Sequence, residues 1–270
     1  MNSSLPSKHT SVVVTYIGTA TAIIEIEGVT FLTDPYFSPD GTSWEVVPGV
    51  FLTSHYTPAL GLSALPPIDV VLLSHEDHPD NLDEVGRRLL DGRIVFTTTD
   101  GARKLAPRPG VRGLKPWETV RVERAGKTFE ITGTPCRHLP GGECTGFVLS
   151  TANLGMTDGR PNAIYFSGDT VYIEELAGIR GRFHVSVALL NIGAAAAAVP
   201  GMKEPLLITM DGRQAAQLHR DMGADVMIPL HFECWDHFTE DKAALQRILE
   251  TEGISANVRW LDPGVATRVI

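Results

Sequence analysis

Apolar positions along this chain fall into short aliphatic runs that break abruptly into polar clusters. Val12–Ile17, Thr21–Glu27 and Val29–Thr33 read as strands, with a turn at Glu27-Gly28. The run 69–73 is aliphatic and β-branched, as an interior strand requires. Leu82, Val85, Leu89 and Leu90 then recur at helical spacing, which predicts a helix over 82–90. Asn81 with Glu84 three residues on forms a capping-box pattern, making Asn81 the expected N-cap. A strand at 93–97, a short helix near 100–105 and a meander near 118–124, 127–135 and 144–150 follow. The remainder alternates: strand 163–167, helix 171–178, strand 185–190, helix 211–221, strand 225–230, helix 239–251 and strand 257–261. Residues 38–67 lack periodicity and carry Trp44, Phe51 and Tyr56, as binding loops and lids often do. Ala194–Ala198, followed by Pro200 and Gly201, reads as a loop. Strands first and strand–helix alternation later imply sheets with helices outside.

The breaks carry the chemistry. Behind the strand at 69–73 stands Ser74-His75-Glu76-Asp77-His78-Pro79-Asp80-Asn81-Leu82-Asp83. Imidazoles and carboxylates on a short strand-to-helix connection can converge on one point, and both are ligand types for zinc, manganese or iron. The pattern repeats: other apolar strands run into His138, Asp169, Asn191 and His231. In open sheets ligands sit just past strand ends, so these groups are expected to meet.

Taken in order, Tyr16-Ile17-Gly18, Leu32-Thr33-Asp34-Pro35, the His75 motif, His138, Ser167-Gly168-Asp169-Thr170 and Pro229-Leu230-His231 resemble the metallo-β-lactamase-fold hydrolase superfamily. The branch they are most similar to is that of ascorbate-6-phosphate lactonase. The resemblance spans nearly the whole chain. It implies an α/β, four-layer αββα sandwich of two mixed sheets flanked by helices, with a metal site at one edge. With no linker, charge block or low-complexity tract to divide it, the chain reads as a single domain over 1–270, of which the polar residues 1–10 form a flexible tail. The family's first motif is usually His-x-His-x-Asp-His, whereas this chain reads His75-x-x-His78-x-Asp80-Asn81.

Carried over residue by residue, the resemblance places one cation on His75, His78 and His138. It places a second on Asp80 and His231, with Asp169 between the two, and makes Asp80 and Asp169 the catalytic carboxylates. Asp77, two residues after His75, competes with His78 for its slot. Asp34 is expected to support a ligand imidazole through its distal N–H. Asn81, neutral and weakly basic, is expected near the metal without touching it, so the second cation should be held more weakly than the first or be absent. Trp44, Trp235 and Phe232 are candidate pocket walls, and His55 and His237 candidate substrate contacts. His9 lies in the tail, His184 precedes a strand, His219 falls on an expected exposed helix face, and Cys234 reads as a small packing residue.

Composition narrows the function. The formal net charge of −9 argues against a dedicated nucleic-acid binder. Residues 87–127 nevertheless hold 11 of the 23 lysines and arginines against four acids. That is the signature of a solvated outer face, or of attraction for an anionic small-molecule substrate. Three scattered cysteines, no signal peptide and no apolar segment of membrane length suggest a reduced, cytoplasmic protein. Self-association is compatible with all of this.

The leading reading is a hydrolase that uses one or two Zn2+ ions, with Mn2+ or Fe2+ as alternatives. Metal binding lowers the pKa of water from about 15.7 toward roughly 7, so hydroxide forms at neutral pH and attacks a small ester or lactone. A phosphodiester is the alternative if the basic segment lines the cleft. A catalytically degenerate binding or scaffold protein, or an iron-dependent redox enzyme, are the others.

Overall fold

A computed structural model describes residues 10–199 and 201–270 of the chain. The tail expected over 1–10 lies, apart from Thr10, outside the described residues, as does His9. The strands are β1 Val12–Gly18, β2 Thr21–Ile26, β3 Val29–Thr33, β4 Ser43–Val47, β5 Val50–Thr53, β6 Val70–Leu72, β7 Ile94–Thr98, β8 Val111–Leu114 and β9 Thr119–Arg124. They continue with β10 Lys127–Pro135, β11 Thr145–Ser150, β12 Met156–Thr157, β13 Arg160–Phe166, β14 His184–Asn191, β15 Ala196–Ala197, β16 Leu206–Leu207, β17 Val226–Leu230 and β18 Thr267–Arg268. The α-helices are α1 Glu84–Arg87, α2 Thr99–Lys104, α3 Gly212–Met222 and α4 Lys242–Thr251.

Two mixed sheets pack face to face. The first runs β18-β1-β2-β3-β6-β7-β8 and the second β17-β14-β13-β11-β10-β9, with β12 on β13. Period-two alternation explains how both faces become buried. In β6, Val70 and Leu72 enter the core between the sheets while Val71 faces the outer layer. Phe31 and Phe129 meet edge to face across the sandwich with centroids 5.1 Å apart. Outside the second sheet, Ala215, Leu218 and Met222 of α3 and Leu245 and Leu249 of α4 cover Ala188, Leu190 and Met227. Outside the first, Leu82, Leu89, Leu90 and Leu105 cover Leu32, Val71 and Val95. The order is αββα, as the sequence implies.

Several elements differ from expectation. The helix after the His75 motif has four residues, and its N-cap is Asp83, which accepts the Gly86 N–H at 2.6 Å, not Asn81. Gly86 lies inside this short helix. It is a poor helix former, and it packs where a Cβ would lie 1.8 Å from the Pro35 carbonyl oxygen. The expected helix 171–178 is a 3-10 turn over Glu174–Gly181, with glycines at 178 and 181. No strand forms at 257–261; Val258 makes a single bridge to Met227. Conversely, β4 and β5 form a hairpin inside the stretch 38–67, β15 forms within the expected alanine loop and pairs with β16 beyond it, and β8 and β18 add edges. His219 is buried at 6% exposure, not on an exposed face, and burial lowers its pKa.

The Phe31–Phe129 contact joins the two sheets, so Phe129→Ala should cost about 3–5 kcal/mol. Urea unfolding measures it; a cost under about 1 kcal/mol would mean that the sheets do not depend on this contact.

Candidate metal centre

In the first sheet β3, β6, β7 and β8 run parallel, as do β13, β14 and β17 in the second. Their C-terminal ends open on one edge of the sandwich. Asp34 follows β3, Ser74 and His75 follow β6, Asp169 follows β13, Asn191 ends β14 and His231 follows β17. His138 comes from the loop after β10. The backbone there is bent sharply: Asp34 and His231 have φ of 26° and 56°, conformations that cost of order 1–3 kcal/mol in a non-glycine residue. Gly168, at φ 57°, is required twice over, since a Cβ would lie 2.6 Å from the Thr145 carbonyl and 2.8 Å from Ser74 Cβ.

His75, His78 and His138 converge, with one nitrogen of each within 4.8 Å of the others. His78 Nδ1 lies 3.1 Å from His138 Nε2; two nitrogens on one tetrahedral zinc stand about 3.3 Å apart. Asp77 is not in the cluster; it is exposed and faces Lys104 Nζ at 3.5 Å. Asp169 Oδ2 lies 4.0 Å from both His75 Nε2 and His138 Nε2, and 3.4 Å from His231 Nε2. His231 Nε2 is in turn 3.4 Å from Asp80 Oδ2, which has His237 Nε2 at 3.5 Å. The second group is thus a chain of contacts: Asp169, His231, Asp80, His237.

Hydrogen bonds behind the cluster fix which nitrogen faces inward. Asp34 Oδ1 accepts the Ser74 N–H at 2.6 Å, and Oδ2 accepts the Ser74 hydroxyl at 2.7 Å and the Asn81 amide at 2.9 Å. With its proton committed to Asp34, Ser74 Oγ accepts from His75 Nδ1 at 2.8 Å, so the Nε2 lone pair of His75 points inward. Asp34 therefore supports the imidazole through Ser74, not directly as expected. His138 Nδ1 donates to the Ile208 carbonyl at 2.6 Å. Asn191 Nδ2 donates to Asp169 Oδ1 at 2.7 Å, turning Oδ2 to the imidazoles. Ser74, Ile208 and Asn191 were not singled out as supports; a hydroxyl directly before His75 and an amide ending a buried strand were the signals.

The electrostatics call for a cation. Asp34, Asp80 and Asp169 are buried, and among the described residues none pairs with a lysine or arginine. Burial opposes charge on Asp169, yet His231 and the other imidazoles hold its carboxyl far below the usual range. Burial, then repulsion from Asp169, pushes Asp34 up to about 7. Burial also disfavours charge on His231, but Asp169 and Asp80 raise it to about 10, so its proton neutralises the carboxylates. Burial, then His78, depresses His75 to about 3, leaving a neutral ring. Among the described residues the buried, inward Nε2 of His75 has no hydrogen-bond partner. A neutral imidazole with an unpartnered inward nitrogen, two further imidazoles converging on it and a carboxylate beside them fit a transition metal.

The centre opens into a cavity of about 610 Å3 walled by Trp44, Leu52, Trp235 and Ala195–Ala198. Trp44 and Trp235 stand 5.2 Å apart over the buried Tyr36. His237 lines the cavity, whereas exposed His55 pairs with Asp236 and His184 with Asp225. Phe232 packs in the outer core against Trp260 instead of walling the cavity, and Cys234 is buried beside Tyr36.

Residues 30–232 match the family described as Beta-lactamase superfamily domain. The chain belongs to the metallo-β-lactamase-fold superfamily. It is 24% identical to a UPF0173 metal-dependent hydrolase of Methanopyrus kandleri, covering 93% of this chain and 97% of that protein. It is 29% identical to the protein Rv0906 of Mycobacterium tuberculosis over 81% of this chain, and spans 58% of that relative's length. Among solved structures, the isothiocyanate hydrolase from Delia radicum gut bacteria superposes with a TM-score of 0.72 at 20% identity, covering 94% of this chain and 98% of that one. That similarity shows the superfamily fold. None of these relatives singles out the lactonase branch.

Ser74→Ala removes the link between Asp34 and His75 while leaving every cluster side chain in place. First-equivalent zinc affinity should fall about 10–100-fold, as on losing a supporting hydrogen bond. Competition with a chelator reads this directly; unchanged affinity would dismiss the Asp34–Ser74–His75 link.

Proposed function

We propose that this chain is a metal-dependent hydrolase of small ester- or lactone-type substrates, with zinc as the cation. The observation that carries this reading is the set of three converging imidazoles, joined through Asp169 to His231 and Asp80, at the floor of an apolar-walled cavity. The bound cation supplies Lewis acidity and lowers the pKa of water toward roughly 7. His75, His78 and His138 would hold the first ion, and Asp80 and His231 the second, with Asp169 serving both. As ionised carboxylates lining the cavity, Asp80 and Asp169 are also placed to orient the attacking water. Trp44, Trp235 and the Ala195–Ala198 segment exclude bulk water and seat the apolar part of the substrate.

The position of the basic segment favours an ester or lactone over a phosphodiester. Of residues 87–127 only Arg87 lines the cavity, and its guanidinium engages Glu84 and the Glu76 carbonyl. Lys104, Arg108, Arg112 and Arg121 pair with acids on the surface. Beyond the metal ions themselves, an anionic group entering the cavity would find no free lysine or arginine of this segment to bind.

Purified protein should carry about one or more transition-metal ions per chain, lose activity to chelators and regain it with zinc. A panel of lactones, carboxylic esters and chromogenic phosphodiesters separates the substrate classes. His75→Ala should abolish turnover and first-site metal binding, because no neighbouring group replaces its inward nitrogen. His219→Ala, remote from the centre, should lose some stability but keep its metal. Natural protein that holds no metal after reconstitution, or equal turnover in both variants, would refute the reading.

A further inference from the structure

We propose that His237 is a ligand of the second cation position, supplying the imidazole that Asn81 does not. The proposal rests on the reading that this centre holds a cation, and concerns which side chains complete it.

Asn81 occupies the place of the final imidazole in the family motif but faces another way. Its side chain is fully buried, its amide nitrogen donates to Asp34 Oδ2 at 2.9 Å, and it does not line the cavity. Asn81 is thus committed to the layer that supports Ser74 and His75. That leaves the second position with Asp80, Asp169 and His231 as its remaining motif groups.

His237 addresses the same carboxylate as His231. Among the described residues only His75, His78 and His138 close into a ligand cluster, so a second ion would draw His231 and His237 together around Asp80. The His237 Nε2 lies 3.5 Å from Asp80 Oδ2, and the Nε2 of His231 lies 3.4 Å from the same oxygen. Donor atoms sharing one tetrahedral zinc, with bonds of about 2.0–2.2 Å, stand about 3.3–3.6 Å apart. Both imidazoles therefore have ligand-like spacing to that carboxylate. The His237 side chain is nine-tenths buried and stacks on Phe238 with centroids 4.7 Å apart and planes 27° off parallel. Its carbonyl accepts the Ala196 N–H at 3.0 Å, fixing the backbone. Its Nδ1 has no hydrogen-bond partner, so Asp80 is the polar group its ring addresses. Packing orients this ring, whereas hydrogen bonds orient His75 and His138, so the second ion should be the more weakly held.

The test is stepwise titration of the metal-free full chain with Co2+ and Zn2+, read by calorimetry and by the Co2+ absorption spectrum of each equivalent. The natural protein should take two equivalents. In His237→Ala and His237→Gln the first should bind as in the natural protein, which also reports correct folding. The second should weaken by more than about 100-fold, beyond the range for loss of a supporting hydrogen bond. Asn81→Ala should retain both equivalents.

A smaller loss in the His237 variants would make His237 a supporting group and overturn the proposal. So would a natural protein that binds one equivalent only, or an Asn81→Ala variant that loses the second ion while His237→Ala keeps it; the latter would assign the ligand to the buried, unpartnered Asn81 Oδ1. Absence of any metal binding in the natural protein would instead remove the hydrolase reading, and this proposal with it.

Discussion

Three carboxylates buried at one sandwich edge without a lysine or arginine partner set the terms for the rest of this structure. Removing a carboxylate from water costs several kcal/mol unless something positive or strongly hydrogen-bonding replaces the solvent. Asp34 is given hydrogen bonds: Ser74 through backbone and hydroxyl, and Asn81 through its amide. Asp80 and Asp169 are given imidazoles. Imidazoles answer this demand in two ways, as imidazolium or as neutral ligands of a metal ion. Without a metal ion the carboxylates beside His231 favour its protonated form, whereas burial and His78 keep His75 neutral, so a second ion would have to displace the His231 proton.

The fold is what makes such an expensive cluster affordable. Parallel strands deliver Asp34, Ser74, Asp169, Asn191 and His231 to a common edge, and each strand interior is apolar enough to hold its end in place. Left-handed backbone at Asp34 and His231 re-aims side chains that would otherwise alternate with the sheet. The His231 N–H is tied to the Thr19 carbonyl at 2.8 Å, so the bend at one sheet is clamped by the loop between β1 and β2 of the other.

Much of this was legible in the sequence because buried strands and the polar residues ending them are both local signals. Strand runs at 69–73, 163–167, 185–190 and 225–230 located His75, Asp169, Asn191 and His231 without reference to tertiary contacts. Less legible were features set by contacts distant in sequence. Asn81 and Asp83 are both good N-caps by residue type; Asp83 caps α1 while also accepting from Phe37 N–H and the Ser38 hydroxyl, contacts that no local pattern announces. Position 86 of α1 has to be glycine because the Pro35 carbonyl passes against it. The β4–β5 hairpin has alternating exposure too weak to read, since several of its apolar side chains face the cavity or solvent instead of a core. His237 stood out only as an imidazole near Trp235, because its relation to Asp80 crosses 157 positions of chain.

Charge on the surface and charge in the site prove to be separate matters. The excess of lysine and arginine over 87–127 suggested a field that draws in anions, but most of those side chains meet acids on the outer face. At the ~8 Å screening length of physiological salt, such pairs project little field into a cavity on the sandwich edge. What an incoming molecule meets is an apolar wall of Trp44, Leu52 and Trp235 above a floor of carboxylates and imidazoles. A cavity with such a wall favours shape and exclusion of water over long-range charge attraction. The β4–β5 hairpin and the alanine segment form the wall of this cavity, while the histidines and aspartates form its floor.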